Sequence, residues 1–195
     1  MTVSGVLLDR DGVLNDPPVS GYVTDPADFR WLPGALSACR LLAAARIPVA
    51  IVTNQSAVGR GILTTSVLME IHSMLQRDVG AVWPIFYCPH VPRDQCACRK
   101  PQPTLLHRAA GHLGLPVTDL VFVGDHHTDQ QAAHAAGMRF YHVRTGRDST
   151  LARSVTSFSD LAAAVTALLY EREEAGSRVA RANLTPGDPT TGRRP

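Results

Sequence analysis

The chain has 195 residues, of which 45% are apolar and 18% charged, enough to bury a core and too ordered a composition for global disorder. A formal net charge of +2 with no clustered basic run argues against a nucleic-acid or membrane-surface binder. No leader is visible, and no apolar run approaches the ~20 residues that span a bilayer, which predicts a soluble cytoplasmic protein; nothing in the sequence resembles an obligate interface, so monomer is the default expectation. Eighteen of the nineteen basic residues are arginine, and the only lysine is Lys100.

In chain order, short branched apolar runs alternate with stretches of helical period. Val6 to Leu8 reads as a strand, Ala35 to Ala45 as a helix, Val49 to Val52 as a strand and Val67 to Val79 as a helix. Ile85 to Tyr87, Leu120 to Val123 and Phe140 to Val143 are further strands, with helices over Leu105 to Leu113 and Gln130 to Ala136. A last helix starts at Ser159 as N-cap and runs through Leu161, Val165, Leu168 and Leu169. The connections are too long for hairpins, so the pattern predicts an α/β fold: a mostly parallel sheet with helices on both faces. Residues 1–172 read as one domain. From 173 to 195 the apolar period is lost among Gly, Pro, Thr and Arg, which predicts a disordered tail.

In such a sheet, chemistry belongs beyond the carboxyl ends of the strands. The first strand runs into Asp9-Arg-Asp-Gly-Val-Leu-Asn15. If the chain stays extended past Leu8, Asp9 and Asp11 point one way and Arg10 the other. Two carboxylates in one small volume need a cation or a shared proton. Mg²⁺ on Asp9 with a partly protonated Asp11 as acid and base would satisfy both. Gly12 allows a sharp turn away. The second long strand ends in Thr53-Asn-Gln-Ser56, a hydroxyl and amides able to donate to phosphoryl oxygens. Leu120-Val-Phe-Val-Gly-Asp125 delivers another acid, with Asp129 four residues on, and Cys98-Arg-Lys-Pro101 adds two cations. Each piece alone is a common turn or cap; their joint order is what points to a phosphate site.

Cys88-x-His90 and Cys96-x-Cys98 supply three thiolates and one imidazole within the loop 88–98. This set suits tetrahedral Zn²⁺ with no open position, hence a structural ion that pins the loop carrying Arg99 and Lys100. Cys39 stands apart on a predicted helix and reads as core. His126 and His127 follow Asp125 closely and could lean on the phosphate site, or simply be solvated.

Over residues 4 to 170 these motifs resemble the haloacid dehalogenase superfamily of phosphohydrolases. Gly21-Tyr22-Val23, Arg60-Gly61, Tyr87-Cys-Pro-His90 and Cys96-Ala-Cys-Arg-Lys-Pro101 further resemble its heptose 1,7-bisphosphate 7-phosphatases. The related histidinol-phosphate phosphatases share much of the pattern and the short metal loop. The resemblance implies that Asp9 forms an aspartyl-phosphate while Asp11 protonates the leaving oxygen and then activates water. It also implies Mg²⁺ on the carboxylates of Asp9 and Asp125 and the backbone carbonyl of Asp11, with Thr53 and Lys100 clamping the phosphoryl oxygens. Arg10, Tyr22, Asn54, Gln55, Ser56, Arg60 and Arg99 would contact a small phosphorylated sugar. An aspartate at position 11 argues against the transport ATPases, which carry threonine there, and Asp9, Asp11, Lys100 and Asp125 together argue against a catalytically silent zinc-stabilised binding module. The intervals between Asp9, Thr53 and Lys100 leave no room for a separate cap domain, so an open site is expected, rimmed by Pro17 to Val23, Gln55 to Gly61 and the metal loop.

Overall fold

The computed structural model of the chain describes residues 3–16, 21–146 and 155–182. Six strands form one sheet: β1 (Gly5–Leu8), β2 (Val49–Asn54), β3 (Ile85–Cys88), β4 (Leu120–Gly124), β5 (Arg139–Val143) and β6 (Ser157–Phe158). Their order is β3-β2-β1-β4-β5-β6, and every neighbouring pair is parallel. β1 and β4 are buried along their whole length, because helices cover both faces and no solvent-facing alternation is needed.

The helices are α1 (Ala35–Ala44), α2 (Ser56–Gly59), α3 (Thr65–Val79), α4 (Thr104–Leu113), α5 (His127–Ala136) and α6 (Leu161–Ala182). Val6 and Leu8 of β1 face a core built with α1, α3 and α6, in which Cys39 is buried as core. Leu7 faces the opposite core, made with α4 and α5. The two local stops of α3 are legible: Thr64 Oγ1 accepts from Val67 N–H at 3.3 Å, and Gly80 closes the helix at φ 78°.

The architecture is the expected one, with differences at the element ends. Asp160, not Ser159, caps α6, because its carboxylate accepts from Ala163 N–H at 2.8 Å while Ser159 Oγ donates to Asp160 at 2.9 Å. α6 also continues to Ala182, past Glu173. Beyond the apolar stretch, exposed pairs one turn apart carry it: Tyr170 with Glu174, and Glu174 with Arg178 at 3.0 Å. The rest of the expected tail, 183–195, lies outside the described residues, as do positions 17–20 of the expected rim. The short α2 and β6 were not anticipated, since four and two residues carry no readable period. Among the described residues no helix is long and apolar enough to cross a membrane.

The placement of β1 matters most. Leu8 pairs with Ile51 on one side and Val123 on the other, so the residue after β1 emerges between the carboxyl ends of β2 and β4. The chain adds β2 and β3 on one side of β1, then crosses to β4 on the other. That reversal opens a crevice at the strand ends.

Candidate active site

A cavity of about 600 Å³ opens over this crevice. Asp9 leaves β1 at its floor, with Arg10 N–H donating to Asp9 Oδ1 at 2.8 Å. Lys100 Nζ pairs with the same oxygen at 2.9 Å and with Asp129 Oδ1 at 2.6 Å, and donates to the Val52 carbonyl at 3.1 Å. The ammonium also lies 5.2 Å from the Phe122 ring centroid. Burial alone would lower the Lys100 pKa, but Asp129 and Asp9 outweigh it and hold the cation above its ordinary value. Asn54 secures the backbone there: its Nδ2 donates to Lys100 O at 3.2 Å and its Oδ1 accepts from Lys100 N–H at 3.1 Å.

Carboxylate oxygens of Asp9, Asp125 and Asp129 lie within 4.8 Å of one another, and all three residues are buried. Desolvation raises the Asp9 pKa well above its ordinary value, and the neighbouring Asp129 and Asp125 add to it while Lys100 opposes. When ionised, three carboxylates against one ammonium leave an excess of two negative charges in a low-dielectric pocket, which is why Asp9 resists ionisation without a cation. That charge and this all-oxygen donor set fit a hard divalent cation. Gly12, at φ 89°, packs on Asp125 so closely that a Cβ would strike its carboxylate. The sharp turn and the close approach both require glycine.

Asp11 departs from the simplest expectation. The chain does not stay extended: Arg10 O accepts from Leu14 N–H at 2.8 Å as the backbone curls into a tight turn. Arg10 is then buried against Asp11, with Nη2 at 2.8 and 2.9 Å from its two oxygens and Nε at 3.2 Å. Asn15 Nδ2 donates to Asp11 Oδ1 at 3.0 Å and Gln55 Nε2 to Oδ2 at 2.7 Å. Burial would raise the Asp11 carboxyl, but Arg10 and these amides outweigh it and hold it below its ordinary value. Asp11 is thus a carboxylate here, not the partly protonated group expected from the sequence. Its side chain also belongs to a cluster separate from that of Asp9, Asp125 and Asp129.

Thr53, Asn54, Tyr22, Ser56, Arg60 and Arg99 line the cavity. Tyr22 Oη and Ser56 Oγ are 3.4 Å apart. Arg10 and Gln55, both expected to contact ligand, do not line it; they turn inward, and Gln55 bridges Thr53 Oγ1 at 2.9 Å to Asp11. Buried amides and guanidinium look alike in sequence whether they face a ligand or its carboxylate. His126, left open between the phosphate site and solvent, lines the cavity, and residues that the expected set omitted also reach the wall: Asp129, Thr128, Gln95 and Gln102. Asp129 had a signal, its place one helical turn past Asp125; it also accepts from His126 N–H at 3.2 Å, capping α5.

Beside the cavity, Cys88, His90, Cys96 and Cys98 converge. Sγ atoms of Cys88, Cys96 and Cys98 are 3.3 to 3.5 Å apart, and His90 Nδ1 is 3.2 Å from Cys98 Sγ and 3.6 Å from Cys88 Sγ. A tetrahedron with ~2.3 Å metal–sulfur bonds has edges of about 3.8 Å, so the four donors need to open only slightly. The cluster is compatible with a zinc-binding loop. It ties into the cavity rim through Arg99, whose Nη1 donates to His90 O at 3.2 Å, and through Gly59, whose N–H donates to Pro89 O at 2.9 Å.

A HAD-hydrolase-like family model matches residues 97–167. The chain is 36% identical over 178 residues to a D-glycero-beta-D-manno-heptose-1,7-bisphosphate 7-phosphatase of Pseudomonas aeruginosa, covering 87% of this chain and 99% of that one. It is 34% identical over 180 residues to a D-glycero-alpha-D-manno-heptose-1,7-bisphosphate 7-phosphatase of Mycobacterium tuberculosis, covering 88% and 94%. Among solved structures, the D,D-heptose 1,7-bisphosphate phosphatase of B. bronchiseptica complexed with magnesium and phosphate matches with a TM-score of 0.80 at 36% identity, covering 88% of this chain and 99% of that one.

Proposed function

The chain belongs to the heptose 1,7-bisphosphate 7-phosphatase family of HAD-like hydrolases, and from that membership we propose that it removes the C7 phosphate of D-glycero-D-manno-heptose 1,7-bisphosphate through an aspartyl-phosphate on Asp9. The observation that carries the reading is the Lys100 bridge. It holds Asp9 Oδ1, together with Arg10 N–H, and leaves Oδ2 for in-line attack on phosphorus.

In the first step an Asp9 oxygen bonds to phosphorus and the bond to the C7 oxygen breaks, with a proton passing from Asp11 to that oxygen. In the second, Asp11 takes a proton from a water that attacks the phosphorus, and phosphate leaves with Asp9 restored. The clamped Asp11 is already in the basic form that the second step needs. An incoming phosphate dianion raises its carboxyl by like-charge repulsion and so favours the acid form that the first step needs. Thr53 Oγ1 donates to a transferring oxygen and Lys100 sets its positive charge beside it, while Tyr22, Ser56, Arg60 and Arg99 contact the sugar and its second phosphate. Asp9, Asp125 and Asp129, with the Asp11 backbone carbonyl, would hold Mg²⁺, which when bound neutralises phosphate charge. Cys88, His90, Cys96 and Cys98 would hold a structural Zn²⁺ that fixes the loop presenting Arg99 and Lys100.

The test is a kinetic comparison of both anomers of the heptose bisphosphate with histidinol phosphate in the presence of Mg²⁺. A heptose bisphosphate is expected to have the higher kcat/KM. Equal or faster turnover of histidinol phosphate would assign the protein to the related monoester phosphatases instead.

A further inference from the structure

The catalytic cavity has a side lobe. A second cavity of about 480 Å³ is lined by Arg60, Ile62, Val91, Pro92 and Arg93, and it shares Arg60 and Pro92 with the first. Its walls come from two segments joined at the backbone. Arg60 follows α2, whose last residue, Gly59, donates its N–H to Pro89 O at 2.9 Å. The approach is so close that a Cβ on Gly59 would lie 2.6 Å from that carbonyl oxygen. Arg93 sits in a short turn over Pro92–Asp94, held by the Asp94 carboxylate, which accepts from Val91 N–H at 2.9 Å. The backbone then takes a left-handed conformation at Gln95, φ 46°, and Gln95 lines the catalytic cavity. One turn therefore serves both spaces, giving Arg93 to the side lobe and Gln95 to the main one.

Charge decides what the lobe can hold. Among the described residues no acidic side chain lines it, and neither Arg60 nor Arg93 makes a hydrogen bond or an ion pair. Asp94, the adjacent acid, is committed to Val91 N–H. Two uncompensated guanidinium groups beside the apolar wall of Ile62, Val91 and Pro92 suit a phosphate carried on a carbon skeleton, because the planar fork matches phosphate geometry. The same pair repels a cation, and histidinol phosphate carries an ammonium group. When one phosphate of a bisphosphate lies over Asp9, the other must lie toward the rim, and Arg60 stands where the two spaces join.

We propose that Arg93 is a specificity-determining residue: with Arg60 it makes the side lobe a subsite for the phosphate that is not transferred, and so favours sugar bisphosphates over sugar monophosphates and over cationic monoesters. The inference rests on the function proposed above and adds a residue and a space to it. The contact lies away from the phosphorus under attack, so it strengthens bound substrate and transition state alike. Its loss is read in KM and not in kcat.

The test is a charge series at one position: wild type, Arg93→Lys, Arg93→Gln and Arg93→Glu, assayed with Mg²⁺ on heptose 1,7-bisphosphate and on heptose 7-phosphate. KM for the bisphosphate is expected to rise in that order, by about tenfold at Arg93→Gln and further at Arg93→Glu, with kcat changed by no more than about twofold. KM for the 7-phosphate, which lacks the second phosphate, should stay level across the series. Added salt should shrink the wild-type advantage, since exposed charges are screened. A general loosening of the metal loop would not follow the sign of the charge. Equal KM values for Arg93→Gln and Arg93→Glu, or equal shifts for the two substrates, would therefore overturn the inference. A second arm separates it from the functional reading: calorimetric binding of the heptose bisphosphate to Asp9→Asn, alone and combined with each Arg93 change, needs no turnover. A wild type that does not hydrolyse the bisphosphate removes the proposed function; the charge order in Kd then keeps the subsite, and a flat series removes it.

Discussion

The two clusters able to hold metal among the described residues are built in opposite ways. The carboxylate cluster draws Asp9 from the end of β1, Asp125 from the end of β4 and Asp129 from the first turn of α5, with Lys100 arriving from the loop after β3. All four are buried, and none is near another in sequence except the last two acids. The Cys/His cluster uses only positions 88 to 98, and apart from Cys88 its ligands remain partly open to solvent or more. In the first case the sheet makes the site, and charge is held in place by a fold that exists for other reasons. In the second the ion would make the local fold, because a short loop with so little apolar burial has few other means of ordering itself. The two meet at Arg99 and Lys100, which follow the last thiolate directly.

The sharpest way to break this comparison is to remove the nucleophile while leaving the sheet intact. Asp9→Asn is expected to cut Mg²⁺-dependent phosphate release by on the order of 10³-fold or more, with the fold retained. Undiminished release would show that the buried acids are a structural ion pair network and no active site. Next in size is Lys100→Arg, expected to lose about 10²-fold in kcat despite keeping the charge. A compact ammonium fits between Asp9, Asp129 and the Val52 carbonyl, where a planar guanidinium has neither the width nor the donor directions. That steric demand gives the composition its meaning: a chain that uses arginine at every other basic position keeps lysine where three acceptors converge on one nitrogen.

The two clusters were also unequally legible. Cys88, His90, Cys96 and Cys98 announce themselves because the ligands are contiguous and their residue types are rarely grouped otherwise. The parallel sheet and the residues just beyond it, Asp9, Thr53 and Asp125, could be read because strands and helices leave distinct periods and because crevices form at strand ends. What could not be read was direction. Arg10 was expected to point away from Asp11 and toward ligand, yet the turn at Gly12 folds its guanidinium onto Asp11. Gln55 likewise faces inward, and Asp129 joins the acids only because α5 starts at His127, three residues before its apolar period becomes visible. A curl of a few residues decides these orientations, and no periodicity records it.

The metal loop offers a smaller effect of a different kind. Cys98→Ser, or treatment with a thiophilic chelator, should release the ion and lower stability by about 4 kcal/mol if free metal is ~1,000-fold above its Kd. It should raise KM more than it lowers kcat, since Arg99 hangs on the loop through His90 O while Asp9 does not. A matched fall in kcat with no change in KM would mean that the loop acts on the chemistry, and the division between the two clusters would fail.

The smallest expected effect comes from pH, where Asp9 and Asp11 carry opposing signs. Asp9 is raised well above its ordinary value near 3.8, so from that pH upward the folded state binds more protons than the unfolded one, and stability falls as pH rises through the window. Asp11 is lowered from the same value, so its contribution is fully present above that pH and is lost only as acid protonates it below. The two windows therefore lie on either side of the ordinary carboxylate value and do not cancel. Protons and Mg²⁺ compete for Asp9, so the gain in Tm on adding Mg²⁺ should grow with pH up to the raised Asp9 value and then level off, with affinity changing at most tenfold per unit. Asp9→Asn removes the competing proton, and its Mg²⁺-dependent gain should be smaller and flat over the same range. A wild-type gain that is equally flat would place the ion on groups other than Asp9, and the excess negative charge at the strand ends would need another partner.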